Sequence, residues 1–169
     1  MKAYKLAIFS VVLGAAATMG AWAQTSGSLT LRGTIPQILQ LTIAPVGSLE
    51  ALDLTVAIPV TTIATVTEKT NRRTGYNVTI KSSSAEAAGT AGPVFKGLDT
   101  SNTETLPYIL TYGGNALTFT AGIATIIGPA AKTTSAGTEK TVTMEYILSG
   151  LFPNADTYQD ILTFTIIGK

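Results

Sequence analysis

From residue 162 to residue 166 the chain reads LTFTI, so that Leu162, Phe164 and Ile166 alternate with Thr163 and Thr165. Side chains on extended backbone point to opposite faces in turn, which puts the three apolar residues on one face and the threonines on the other. Thr and Ile, branched at Cβ, also suit a pleated backbone better than a helix. The stretch 156–169 is therefore expected to be the closing strand of a β-structure, with one face buried. A strand in that place either pairs on both sides or leaves an edge, and the choice bears on function.

The same pattern recurs upstream. In residues 28–35 (SLTLRGTI) Leu29, Leu31 and Ile35 fall on one face with Gly33 in the same register, and Thr30, Arg32 and Thr34 lie opposite. Pro36 ends that run, because proline cannot donate to a ladder. Residues 38–43 resume the alternation up to Pro45, and 46–52 are turn-rich. Segments 54–58 and 63–67 read as two short strands or one broken strand. After a polar turn at 68–75, Tyr76, Val78 and Ile80 alternate with Asn77 and Thr79, a strong strand signal. Residues 81–92, rich in Ser, Ala and Gly, read as a surface loop. A strand at 106–112 stops at Gly113-Gly114, a hairpin-type turn. Residues 117–121 can pair back, and Ile123, Ile126 and Ile127 offer a short strand. Val142, Met144 and Tyr146 share a face of a strand at 141–148, and 149–157 form a turn. No helical period appears beyond the first residues. Seven to nine short strands separated by turns specify an all-β fold, a sandwich of two antiparallel sheets.

The start of the chain has a different character. Lys2 and Lys5 precede an apolar run over 6–19, and Ala21-Trp22-Ala23 forms an A-x-A cleavage site. Residues 1–23 are expected to be a secretory signal peptide, since the run is shorter than the roughly 20 residues of a spanning helix. Its removal takes away two lysines and leaves nine Lys and Arg against ten Asp and Glu. No basic field exists to attract nucleic acid. Cysteine is absent from a chain expected to be secreted, so stability must come from burial, backbone pairing or association.

Histidine is absent as well, which removes the usual general base and, with cysteine, the soft metal ligands and the thiol nucleophile. No serine lies in a G-x-S-x-G context and no glycine-rich phosphate loop leads from a strand into a helix. Neither an enzyme nor a catalytic, cofactor or metal site is expected, and no small-molecule substrate is implied. Asp156 and Asp160, flanking Tyr158, read as solvated turn residues. Arg72-Arg73 reads as an exposed turn pair. Asn77-Val78-Thr79 matches a glycosylation sequon and reads as a strand with outward polar residues.

Several segments, in this order, resemble the spore coat protein U family and the related chaperone–usher pilins. Residues 156–166 (DTYQDILTFTI) look like the terminal G-T-Y-x-D-T-[VL]-T-V-T-[VI] strand of those subunits. Residues 106–110 (LPYIL) are similar to their central L-P-Y-x-[IL] strand, 76–80 (YNVTI) to their Y-x-[VI]-x-[LI] strand, and 142–150 to a strand running into a glycine. The likeness spans nearly the whole chain after the leader. It departs in lacking the cysteines that many spore coat U members carry.

The resemblance implies an immunoglobulin-like, pilin-type sandwich that lacks a strand and is completed by a donor strand. Residues 24–36 would then be an N-terminal extension and 37–169 the sandwich. Leu162, Phe164 and Ile166 would line an open groove, and Leu29, Leu31 and Ile35 of a neighbour would plug it, with Gly33 where the groove is shallow. The implied partners are identical or related subunits, a periplasmic chaperone and an outer-membrane usher. The implied role is a fimbrial or coat subunit at the cell surface. The alternative for residues 28–35 is the first strand of their own domain. A self-complete secreted binding module or adhesin is the alternative role, and a small outer-membrane β-barrel a more distant one.

Overall fold

Tyr76, Val78, Ile80 and Ser82 alternate with polar neighbours along β3 (Tyr76–Ser82), and all four are fully buried. They are the innermost row of the computed structural model, which describes residues 26–148, 150 and 152–169. The expected leader at 1–23 lies outside the described residues. Two units emerge, Met1–Ile35 and Pro36–Lys169. In the first, residues 26–35 carry no strand and are exposed.

The second unit is an antiparallel β-sandwich of two sheets. Besides β3 it contains β1 (Leu39–Pro45), β2 (Ile58–Thr70), β4 (Val94–Gly97), β5 (Thr105–Tyr112) and β6 (Asn115–Ala116). It continues with β7 (Phe119–Thr120), β8 (Ile123–Ile127), β9 (Thr138–Tyr146), β10 (Tyr158–Gln159) and β11 (Leu162–Gly168). The larger sheet runs β1-β2-β9-β5-β4-β10, with β6 hairpinned onto β5, and the smaller runs β11-β3-β8-β7. Among the described residues each sheet ends in unpaired edges, and the two sheets are not joined into a closed barrel. The core lies between the sheets. Val66 of β2, Leu110 of β5 and Val142 and Met144 of β9 meet Val78 and Ile80 of β3 there. Phe95 stacks at a tilt on Tyr108, with ring centres 4.6 Å apart, and meets Tyr146 edge-on.

Local chemistry explains where the elements differ from the sequence reading. Segments 54–58 and 63–67 are not two strands. One strand, β2, covers the second and begins at Ile58. Its pairing with β9 slips between Ile58 and Thr61 and again between Thr62 and Ala64, near Pro59, which has no N–H to give. The expected loop at 81–92 instead continues β3 to Ser82 and then forms a helix, α1 (Ser83–Ala88). The Ser82 hydroxyl accepts from the Ala85 N–H at its start, and Gly89, at φ 67°, closes its end. A helix this short shows no period, so only its caps announce it. The Gly113-Gly114 turn is as expected, with both residues at positive φ, matching the twist of the β5–β6 hairpin.

The closing stretch is two strands rather than one. Tyr158 pairs with Gly97 in the larger sheet, and Leu162 pairs with Ser82 in the smaller. Asp160 and Ile161 carry the chain across.

Candidate strand-acceptor site

Strand β11 is laddered on one side only. It pairs with β3 from Leu162↔Ser82 to Gly168↔Tyr76, and among the described residues no strand lies on its other side. Strand β1 is likewise the end of the larger sheet, paired to β2 from Leu39↔Thr70 to Pro45↔Ala64. The two edges approach to within 8 Å between Cα atoms in places, yet no strand ladder joins them.

Burial falls off toward this side. Val78 and Ile80 of β3 are fully buried, whereas Leu162, Phe164 and Ile166, one strand further out and pointing to the same core, are only half-buried. Across the gap Val66 of β2 is buried, Leu39 and Leu41 of β1 are half-buried, and Ile43 is 40% exposed. Two rows of inward apolar side chains thus stay accessible beside backbone groups that lack ladder partners. Such an edge invites a further strand.

Polar pins hold one end of this gap and tie the sheets together near the other. At one end the β2–β3 turn gathers the start of β1 and the end of β11. The Asn71 carboxamide donates to the Pro36 carbonyl and accepts from the Ile38 N–H, both at 2.8 Å. Arg72 donates to Gln37 Oε1 at 3.0 Å and to the Lys169 carbonyl oxygen, which also accepts from the Thr74 hydroxyl at 2.6 Å. A Cβ at Gly168 would displace the Arg72 side chain, whose atoms lie 2.7–2.9 Å from that position. Gly75, at φ 77°, tightens the turn where a Cβ would overlap the Pro129 carbonyl.

At the other end Asp160 ties the sheets together. Its carboxylate accepts from Ser82 Oγ at 2.6 Å, Tyr108 Oη at 2.7 Å, and the N–H groups of Ser84 at 3.0 Å and Ile161 at 2.8 Å. Asp156 accepts from the Asn102 carboxamide at 2.9 Å and the Thr157 N–H at 2.7 Å. Both aspartates were expected to be solvated turn residues. Instead both are half-buried and hydrogen-bonded, Asp156 just ahead of β10 and Asp160 where the chain crosses between the sheets, because donors outside the ladders there need acceptors. Burial, and then the Asp160 charge, pushes the Tyr108 hydroxyl well above the usual tyrosine range.

Deeper in, Glu68 is 2% exposed and accepts from Tyr76 Oη at 2.6 Å and Tyr112 Oη at 2.5 Å. Burial first, then these hydrogen bonds, raises both tyrosines. Among the described residues no three His, Cys, Asp or Glu side chains gather to hold a metal ion.

The residues singled out from sequence divide as follows. Leu162, Phe164 and Ile166 share the inward face of an unpaired edge. Leu29, Leu31 and Ile35 are 83–87% exposed and outside any strand, and a Cβ at Gly33 would meet open space. The opposite wall, Leu39, Leu41 and Ile43, was legible as an alternating strand but not as part of a site. Arg73 is exposed as expected, whereas Arg72 is not a free turn residue. It is a half-buried link whose partners lie 35 and 97 positions away, and nothing in the local sequence marks it. No family model matches the chain, and no curated protein sequence matches it.

Proposed function

We propose that this chain is a structural subunit that polymerises by strand donation, residues 28–35 of one copy filling the gap between β1 and β11 of the next. The observation that carries the reading is the half-buried row Leu162, Phe164 and Ile166 on an edge without a ladder partner, in a chain whose alternating segment 28–35 is itself exposed and unpaired. Burying Leu29, Leu31 and Ile35 in such a gap contributes about 5–8 kcal/mol before ordering costs, and backbone pairing adds to it. The resemblance to spore coat protein U and chaperone–usher pilins points the same way. On this reading the chain is secreted, a periplasmic chaperone covers the gap until an outer-membrane usher exchanges it, and the product is a surface fibre or coat.

Leu31→Asp tests this. The variant is expected to fold when a chaperone is supplied but to give no polymer ladder, and ladders of normal length overturn the reading.

A self-complete secreted binding module is the second reading. It is favoured by the internal pins at Asp160, Glu68 and Arg72, which join strands of the body without help from another chain. It requires a stable monomer whose thermal transition survives deletion of residues 24–35.

A further inference from the structure

The charges of the sandwich are sorted by strand end. Where β1 begins, β2 turns into β3 and β11 finishes stand Lys69, Arg72, Arg73, Lys132, Lys140 and Lys169, against Glu139 and the buried Glu68 among the described residues. Thr133, whose N–H donates to the Thr70 carbonyl at 3.0 Å, fixes Lys132 at that end. At the far end Glu50 and Asp53 lie in the loop leaving β1, Asp99 and Glu104 between β4 and β5, and Asp156 and Asp160 ahead of β11. Lys96 stands beside them. Lys81 and Glu86, nearby, form an ion pair of 2.6 Å.

The acidic end also has shape. An open cleft of about 940 Å³ is walled by Glu50, Asp53, Asp156 and Asp160 together with Leu98 and Phe152, and among the described residues neither Lys nor Arg lines it. Leu98 is 57% exposed and Phe152 79%. Hydrogen bonds from Thr55 hold the Asp53 carboxyl below its ordinary range, and those from Ser101 do the same for Asp99. The Asn154 N–H and the Tyr158 hydroxyl lower Glu104. All three are therefore charged at neutral pH.

We infer that this acidic cleft is the docking surface for the basic end of a second copy of the chain, in a head-to-tail contact. The basic end carries the charge the cleft lacks, and like ends repel, which selects this polarity over a symmetric pair. A contact between two different surfaces of one molecule does not close on itself, so it propagates into a filament. The inference deepens the strand-donation reading. Pro36, where the donor segment joins the sandwich, lies at the basic end beside Asn71, so a segment inserted from the acidic end of a neighbour brings its own basic end onto the cleft.

The test uses the full-length Leu31→Asp chain, in which donation is disabled and only end docking remains. Sedimentation is expected to show reversible self-association at about 0.01 M salt that weakens at least roughly tenfold by about 0.15 M, as the Debye length shrinks from about 30 Å to about 8 Å. Adding Glu50→Lys and Asp53→Lys, or Arg73→Glu and Lys132→Glu, is expected to abolish it. All four residues are exposed, and unchanged circular dichroism confirms that each variant folds. Mixing the two charge-reversed proteins is expected to restore association. Absence of association at low salt, indifference to either reversal, or binding of oligolysine without self-association overturns the inference. Failure of the unsubstituted chain to polymerise while Leu31→Asp associates as described would overturn strand donation alone.

Discussion

The Tyr108 hydroxyl donates to Asp160 Oδ2 across 2.7 Å, from the middle of the larger sheet to the point where the chain leaves that sheet for the smaller one. The same oxygen takes the Ser82 hydroxyl of β3. One carboxylate therefore ties β5 of the larger sheet to β3 of the smaller just ahead of β11.

Replacing that acceptor should be costly. Asp160→Ala leaves Tyr108, Ser82 and the Ser84 N–H without their shared partner, and hydrogen bonds to charged groups are worth about 1.5–3 kcal/mol each before they compensate one another. A loss of about 2–4 kcal/mol is expected in urea unfolding. Tyr108→Phe should cost less, and the double variant should cost less than the sum.

Glu68 offers a sharper case because water does not reach it. Glu68→Ala strands two buried tyrosine hydroxyls and should destabilise by about 2–4 kcal/mol. Tyr112→Phe in that background should recover part of the loss, measurable as a partial return of the urea midpoint.

The buried tyrosines also predict the alkaline limit of the fold. Tyr76, Tyr108 and Tyr112 ionise at higher pH when folded than the ordinary tyrosine value of 10.0. A pKa raised by folding gives stability that is complete below the unfolded value and is lost as pH climbs from there toward the folded value. Stability is therefore expected to be flat with respect to these groups up to about pH 9. Above pH 10 it should fall by as much as about 1.4 kcal/mol per pH unit for each tyrosine. Urea midpoints between pH 8 and pH 11 check this, and Tyr76→Phe with Tyr112→Phe should flatten the slope.

The acceptor gap can be probed without polymer. A peptide spanning residues 26–36, added to the Leu31→Asp chain, should bind one to one and raise the thermal midpoint. Phe164→Ala removes one wall of the gap and should weaken that peptide by roughly tenfold or more. Equal binding to both proteins would place the peptide elsewhere.

Gly75→Ala tests the turn that gathers both edges. The residue sits at φ 77° with the Pro129 carbonyl where a Cβ would go, so strain and overlap should cost at least about 2 kcal/mol. Gly47, also at φ 77° but in open space, should tolerate alanine better.

Alternation made the sandwich legible wherever a strand had one wet face. Tyr76, Val78 and Ile80, and Val142, Met144 and Tyr146, lie as the sequence required. Short pieces escaped notice because four residues, as in Val94–Gly97, are too few to show a period. The sheet change at Asp160 escaped for another reason. Residues 158 and 164 keep one parity in the sequence whether or not the chain crosses between sheets, so Leu162, Phe164 and Ile166 could be assigned a face but not a sheet. The pins were invisible because hydrogen bonds between residues 52 or 97 positions apart leave no local pattern.

That separation governs kinetics as well as architecture. Strand β11 gains its ladder and its pins from Ser82, Tyr108 and Arg72, so large loops must close before it is held. Folding of this chain is expected to be slow for its size, and throughout that delay its apolar β-edges remain open to any other extended segment they meet.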